Sequence, residues 1–152
     1  IIDCGFLNVD HSNFFDVIPL KKDRLLCVVS KGSKLYDHSI VYFRDLEGEP
    51  FIMPAYGGDH DVKRMLKENQ VKPKILFELM DEDAIMSLVS HQLGVTILPE
   101  LVLQNIPSQL RAIPLEGYNY RSISLAIRQN ISPVVKLFVE MIKLSLEKLS
   151  NN

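Results

Sequence analysis

Between residues 74 and 100 the hydrophobic pattern changes from that of a strand to that of a helix and back. KILFEL, residues 74–79, is a short run of apolar and β-prone residues. Asp81 stands at the N-cap position of a helix whose apolar residues share one face: Ile85, Leu88 and Val89. Gly94 is expected to end this helix before the strand VTIL. The segment therefore predicts a βαβ crossover in a parallel sheet, with ligand-facing loops at its strand ends.

The same two periodicities predict an α/β fold for the rest of the chain. Further strands are predicted at residues 1–7, 14–20, 24–29, 50–53, 110–115 and 121–128, and further helices at 59–69 and 100–105. A last helix begins with Ser132 as its cap and Pro133 at its first position, and its apolar residues form a wide stripe. No internal repeat or low-complexity segment points to another architecture.

Composition is that of a cytoplasmic globular module without a nucleic-acid surface of its own. The 152 residues are 47% hydrophobic and carry a formal net charge of −2. No apolar run approaches the length of about 18 residues that spans a membrane, and the chain start shows no signal peptide. Lys21, Lys22 and Arg24 form the main basic cluster, which is interpreted as a solvated turn between two strands.

The details of the crossover resemble a known family. LVSHQLGVTILPE is similar to a signature in the effector-binding domain of LysR-type transcriptional regulators, and other matching segments follow the family's order: IIDCGFL, FFDVIPLKKDRLLCVVSKGSKL, RDLEGEPFIMP and LRAIPLEGYNYRSISLAIRQNISPVVKLFVEMI. The resemblance implies a periplasmic-binding-protein-like (type 2) bilobed fold. It also implies a small-molecule effector that binds between two lobes and controls DNA binding by a separate domain.

The resemblance further implies how the lobes divide the chain. Residues 1–20 and 118–152 would form a partial first lobe, and residues 21–117 a complete second lobe. Family members carry a winged helix-turn-helix and about a third of the sensor domain ahead of the matching start, and both are expected to be absent from this chain. Contact with DNA would then occur only through that absent domain.

The loop after the strand at 50–53 is the main candidate for effector contact. Gly57 and Gly58 allow backbone N–H groups to approach a ligand, and Tyr56 offers an aromatic wall with a hydroxyl. Alternatively, the two glycines merely shape the turn into the next helix. The resemblance places Pro54, Ala55 and Tyr56 at the family's effector-contacting positions.

Two other residues complete the predicted site. Asn8 matches a position just beyond the first strand that supplies a polar contact in the family, although a turn residue is an equal alternative. Asp81 lies at the second strand–helix junction, where capping alone would explain it. The nearby carboxylates of Asp59 and Asp61 leave the charge of the effector open. The predicted effector-binding residues are Asn8, Pro54, Ala55, Tyr56, Gly57, Gly58 and Asp81.

Metal and catalytic chemistry are not indicated. Asp59, His60 and Asp61 lack a recognisable ligand spacing with any other histidine, so neither a metal nor a cofactor is predicted. The chain has no nucleophile or P-loop motif, and it is not predicted to be an enzyme. The alternative to a regulator is a solute-binding protein of a transport system with the same fold, which VSHQLGVTILPE and EGEPFIMP resemble less closely.

The cysteines and the last helix carry two further predictions. Cys4 and Cys27 lie in apolar strand segments and are interpreted as buried packing residues rather than a redox switch. The apolar stripe of the last helix would be partly uncovered if the first lobe is incomplete. Homo-oligomers are therefore expected, through strand 1–7 and the residues Phe138, Met141 and Ile142.

Overall fold

Within the residues it describes, 2–8, 12–55 and 61–150, the computed structural model contains seven strands and three α-helices. The strands are β1 (Cys4–Asn8), β2 (Asp16–Ser30), β3 (Pro50–Pro54), β4 (Lys74–Leu79), β5 (Thr96–Pro99), β6 (Leu110–Pro114) and β7 (Tyr120–Ile127). The helices are α1 (Asp61–Glu68), α2 (Glu82–Ser90) and α3 (Pro133–Ser150), with 3-10 turns at Phe43–Leu46 and Glu100–Leu103. This composition confirms the predicted α/β class.

Contacts divide the chain into two units. Unit 1 comprises residues 1–22 and 122–152, and unit 2 comprises residues 23–121. The chain passes from one unit to the other within β2 and again within β7. No helix within the described residues combines the length and the apolar character needed to cross a lipid bilayer.

Unit 2 contains the predicted βαβ crossover. β3 and β4 pair in parallel, from Pro50 opposite Lys74 to Pro54 opposite Leu79. The chain then runs from β4 through α2 to β5, which neighbours the other side of β3 through the parallel bridge between Phe51 and Val95. The crossover thus passes over β3, and its strands and helix lie where the sequence predicts them.

α2 begins as predicted but ends for a different reason. Asp81 is its N-cap, and the side chain accepts a hydrogen bond of 2.7 Å from the Ala84 amide. The helix ends at Ser90, followed by Gln92 in the left-handed region with φ of 63°. The prediction that Gly94 stops this helix is therefore wrong. Gly94 instead allows close approach to β3, because a Cβ there would lie 2.7 Å from the Pro50 carbonyl oxygen.

The core of unit 2 lies on both faces of its sheet. Along β2, Leu25, Cys27 and Val29 point to one face and Leu26 and Val28 to the other, as the two-residue period of a strand requires. The first face is covered by buried residues of α1, among them Met65 and Leu66, and the second by buried residues of α2, among them Ile85 and Val89. A sheet covered on both faces explains the nearly continuous apolar runs of β2, β3 and β5.

The predicted turn between residues 20 and 24 is wrong, because β2 continues without a break from Asp16 to Ser30. Asp23 is buried there and accepts hydrogen bonds from Arg121 Nε at 2.9 Å and from the Leu101 amide at 3.0 Å. These two hydrogen bonds compensate for the loss of water around the buried carboxylate, so Asp23 can lie within the strand. Lys21, Lys22 and Arg24 are exposed, and Arg24 pairs with Glu100 at 2.8 Å.

Unit 1 is built from β1, β7 and α3, with the first part of β2. β1 pairs antiparallel with β7, from Cys4 opposite Ile127 to Asn8 opposite Ile123. α3 begins at Pro133 as predicted, and its Val139 lies in a buried cluster with Leu125 and Ile127. Ile142 packs against this cluster, so it belongs to the covered side of the helix rather than to the open stripe on which it was predicted.

Candidate functional site

Three of the predicted site residues meet at one edge of unit 2. Pro54 ends β3 opposite Leu79, which ends β4, so the carboxyl ends of the two parallel strands lie side by side. The Ala55 amide donates a hydrogen bond of 2.7 Å to the Leu79 carbonyl, which ties the two chain exits together. Asp81 follows two residues after β4. The predicted βα junctions therefore form a single edge, which we call the carboxyl edge.

Asp81 at this edge has a structural role already. One of its carboxylate oxygens accepts the Ala84 amide, as described for the cap of α2. A helix N-terminus also carries a partial positive charge, which the carboxylate offsets. The capping interpretation is thus confirmed, and a contact between Asp81 and an effector remains a prediction.

The centre of the predicted loop lies outside the described residues. Tyr56, Gly57 and Gly58 fall there together with Asp59 and His60. The described chain reaches the loop at half-buried Ala55 and leaves it at Asp61, the first residue of α1. The loop therefore joins the carboxyl edge to the amino end of α1.

Asn8 lies in unit 1, where it is the last residue of β1 rather than a position beyond the strand. Its side-chain oxygen accepts a hydrogen bond of 3.0 Å from the Ser122 amide of β7. The side chain thus extends the pairing of β1 with β7. The interpretation of Asn8 as a turn residue is wrong. A contact between Asn8 and an effector remains a prediction.

A small cavity near α1 was not foreseen from the sequence. Its volume is about 150 Å³, and its lining comprises Leu25, Asp61, Arg64, Met65, Glu68, Tyr118, Asn119 and Tyr120. The rings of Tyr118 and Tyr120 are 5.0 Å apart, and Arg64 forms an ion pair with Asp61 at 2.8 Å. No local pattern pointed to this cavity, because α1 and the segment from Tyr118 to Tyr120 that line it are about 50 residues apart in the chain.

The cysteines differ in their surroundings. Cys27 is fully buried in the core of unit 2, and this burial raises the pKa of its thiol to about 12 because a thiolate would lose its hydration. Cys4 is half-buried in β1, and both are free cysteines. Over the described residues, no cluster of His, Cys, Asp and Glu side chains is arranged to hold a metal ion.

Comparisons with known proteins cover nearly the whole chain. The model of the family described as LysR substrate binding domain matches residues 2–146. YvbU, an uncharacterized HTH-type transcriptional regulator of Bacillus subtilis (strain 168), is 27% identical over 147 residues, which are 94% of this chain and 50% of YvbU. The chain spans about half the length, or less, of the curated relatives it matches.

Solved structures show the same fold. The regulatory domain of CcmR from Synechocystis PCC6803, in complex with 2-PG, gives a TM-score of 0.83 at 18% identity, over 95% of this chain and 73% of that one. The effector-binding domain of QuiR, in complex with shikimate, gives 0.82 at 22% identity, over 96% and 72%. These likenesses confirm the periplasmic-binding-protein-like (type 2) fold. With the family match over residues 2–146, they show that the chain belongs to the LysR substrate binding domain family.

Proposed function

We propose that this chain is the small-molecule effector-sensing part of a bacterial LysR-type transcriptional regulator. The observation that carries the proposal is the family match over residues 2–146 on the fold of LysR effector-binding domains. The regulatory domain of CcmR and the effector-binding domain of QuiR have each been solved with a small molecule bound. Such a ligand acts by binding one conformation better than another, and here that change would alter DNA binding by a separate domain.

The effector is proposed to bind at the carboxyl edge of unit 2. Ligands of open α/β sheets bind outside the carboxyl ends of parallel strands, where loops converge. Pro54, Ala55 and Asp81 lie at this edge, and Tyr56, Gly57 and Gly58 follow directly in sequence. The proposed contacts are the aromatic face and hydroxyl of Tyr56 and the main chain of the two glycines. A contact between Asn8 and the effector is proposed separately, and it rests on the resemblance to the family alone.

The two units are proposed to correspond to the family's lobes. Unit 2, residues 23–121, would be the second lobe, and unit 1 would be part of the first. These boundaries lie within four residues of those that the sequence predicts. The carboxyl edge belongs to unit 2 alone, so the proposed contacts there can be tested in isolation from Asn8.

A transport role is the alternative, and the relatives favour regulation. YvbU and YwbI, the curated relatives that match, are both named HTH-type transcriptional regulators. As a regulator of transcription, the intact protein would act in the cytoplasm, with DNA as the partner of a separate domain. Effector sensing needs differential binding alone, so no catalytic activity is proposed.

Homo-oligomerisation is proposed through unit 1. α3 exposes apolar side chains on its outer face, including Leu137 and Met141, and β1 exposes Phe6 and Leu7. β1 stands at the end of its sheet, with β7 as its neighbour. An exposed apolar helix face beside an edge strand favours association with a second copy.

Thermal-shift screening of the intact regulator against cellular metabolites tests the proposal. A true effector binds the folded state, so it raises the melting temperature by an amount that grows with the logarithm of its concentration divided by its Kd. The same compound should change the affinity of the regulator for its promoter DNA. A metabolite that is consumed during incubation would instead indicate an enzyme, and one that stabilises without any effect on DNA binding would support the transport alternative.

A further inference from the structure

A second cavity in unit 2 lies at the end of the sheet opposite to the carboxyl edge. Its volume is about 310 Å³, and it lies where β2 ends at Ser30, β3 begins at Pro50 and the chain approaches β5 through Gly94 and Val95. β3 leads away from this cavity to Pro54 at the carboxyl edge, and the described lining of the cavity includes no residue of that edge. We call it the amino-edge cavity.

A buried hydroxyl without a hydrogen bond lies in the wall of this cavity. Ser30 is 4% exposed, and the alternation along β2 directs its side chain to the same face of the sheet as Val28, towards α2. Its Oγ makes no hydrogen bond to any residue that the structure describes, although its carbonyl oxygen accepts the Ser33 amide at 2.9 Å. A buried polar group is unfavourable unless a ligand or water supplies a partner. Ser30 therefore marks a position where a bound polar group would be stabilised.

The side-chain amide of Gln92 lines the cavity from the end of α2. Gln92 follows the helix in the left-handed region, with φ of 63°, and its amide group lies against Gly32, where a Cβ would collide with it. Glycine at position 32 thus leaves the space that the amide occupies. The Ser30 hydroxyl and the Gln92 amide can each donate and accept hydrogen bonds, so together they fit a neutral polar group such as a hydroxyl or a carboxamide.

The opposite charges of Lys34 and Glu49 complete the cavity. Lys34 Nζ lies 2.7 Å from Glu49 Oε1, and the two side chains are 67% and 18% exposed. They present one positive and one negative charge side by side. A ligand with a single charge would take one of these groups and leave the other without its partner, whereas a ligand with both an ammonium and a carboxylate would satisfy both. The charge pattern therefore favours a zwitterion.

We propose that the amino-edge cavity binds a free amino acid with a polar, uncharged side chain. Its carboxylate would pair with Lys34 and its ammonium with Glu49, while its side-chain hydroxyl or carboxamide would hydrogen-bond to Ser30 and Gln92. The volume lies at the lower end of the range of about 300–1,000 Å³ that is usual for small-molecule sites, which suits a ligand of this size. This site shares no residue with the one proposed at the carboxyl edge, so variants of one leave the residues of the other intact.

Calorimetric titration of the 152-residue chain with L-glutamine, L-asparagine and L-serine tests this proposal. At least one of the three is expected to bind saturably at one site per chain. For that amino acid, the derivative with an amidated α-carboxyl group and the N-acetyl derivative should each bind at least tenfold more weakly, because each lacks one of the two charges.

Variants of the cavity locate the binding. E49Q should weaken the binding at least tenfold and S30A at least threefold, because they remove an ionic and a neutral hydrogen bond to the ligand. E140Q and S39A replace exposed residues outside the cavity, and these matched controls should stay within twofold of the unmodified chain. S30A removes a hydroxyl that has no partner among the described residues, so stability to urea should not fall. K34Q replaces an exposed side chain and takes the place of E49Q if circular dichroism shows that E49Q is unfolded.

Absence of saturable binding for all three amino acids would overturn the proposal. Binding that S30A and E49Q, or K34Q in its place, leave within twofold of the unmodified chain would locate the amino acid elsewhere and would also overturn it. Equal weakening by the cavity variants and their matched controls would show a general effect of substitution, which contradicts a site in this cavity.

Discussion

Arg121 donates its Nε–H to the carboxylate of Asp23 at 2.9 Å, and Asp23 is only 1% exposed. The two residues are the last and the first of unit 2, so the ion pair joins the points where the chain enters and leaves this unit. The second carboxylate oxygen accepts the Leu101 amide at 3.0 Å. Each oxygen of a buried carboxylate thus has a partner, as burial of a charge requires.

Replacing Asp23 with Ala is expected to destabilise the chain by about 3–5 kcal/mol, because the Arg121 guanidinium would remain partly buried without its partner. Urea denaturation followed by circular dichroism measures the loss. R24A is the matched control, since it removes a pair in which both side chains are about half exposed. The control should lose far less stability, and equal losses would show that the buried pair has no special role.

Cys27 is expected to make stability depend on pH above 9. Its pKa is about 12 in the folded chain and about 9 when unfolded, so the folded state holds the proton more tightly. The stabilisation is fully present below pH 9 and decreases by about 1.4 kcal/mol per pH unit as pH rises towards 12. Comparison of urea unfolding between the unmodified chain and C27A at pH 8 and pH 10 isolates this contribution. A difference in stability that stays constant with pH would contradict it.

Replacing Gly94 with Ala is expected to cost about 1–3 kcal/mol, because the added Cβ would lie 2.7 Å from the Pro50 carbonyl oxygen and force β3 and β5 apart. Gly5 is the control glycine, since a Cβ there has no heavy atom within 4 Å. G94A and G5A are compared by thermal and urea unfolding. If G94A were as stable as the unmodified chain, the main chains at Gly94 and Pro50 could move apart without a cost in stability, which would contradict the prediction.

Replacing Met141 or Phe138 with Glu is expected to shift the chain towards monomer. Met141 is 60% and Phe138 41% exposed on α3, so a charge at either position would oppose burial against a second copy. Sedimentation over a concentration range gives the size distribution, and circular dichroism verifies folding. I40E places the same charge on an exposed apolar residue of unit 2 and should leave the distribution unchanged. A chain that is monomeric at all concentrations would contradict the proposed interface.

The elements that were predicted well are those whose signals are local. The crossover from residue 74 to residue 99 combines a strand pattern, an N-cap at Asp81 and a helical apolar face, and each depends on neighbours within a few residues. The basic cluster of Lys21, Lys22 and Arg24 misled the prediction, because such a cluster favours a solvated turn. Between these residues lies the buried Asp23, whose partners Leu101 and Arg121 are distant in the chain, so the continuity of β2 could not be inferred.

The role of Gly94 and the cavity near α1 could not be predicted from the sequence for the same reason. A glycine after a helix suggests a stop signal, whereas the contact that requires it is with the main chain of Pro50, 44 positions earlier. The cavity is lined by Leu25, Met65 and Tyr120, which come together only when β2, α1 and β7 assemble. Local pattern gives no indication of surfaces that tertiary packing creates.

Calorimetry of the intact regulator with its effector tests the central claim most directly, once screening has identified that compound. Tyr56→Ala should weaken effector binding by about 1–3 kcal/mol, since the proposed contact with Tyr56 would supply both aromatic contact area and a hydroxyl. Tyr42→Ala removes an exposed tyrosine elsewhere in unit 2 and should leave the affinity unchanged. Unchanged affinity in the Tyr56 variant, with cooperative folding retained, would contradict an effector site at the carboxyl edge.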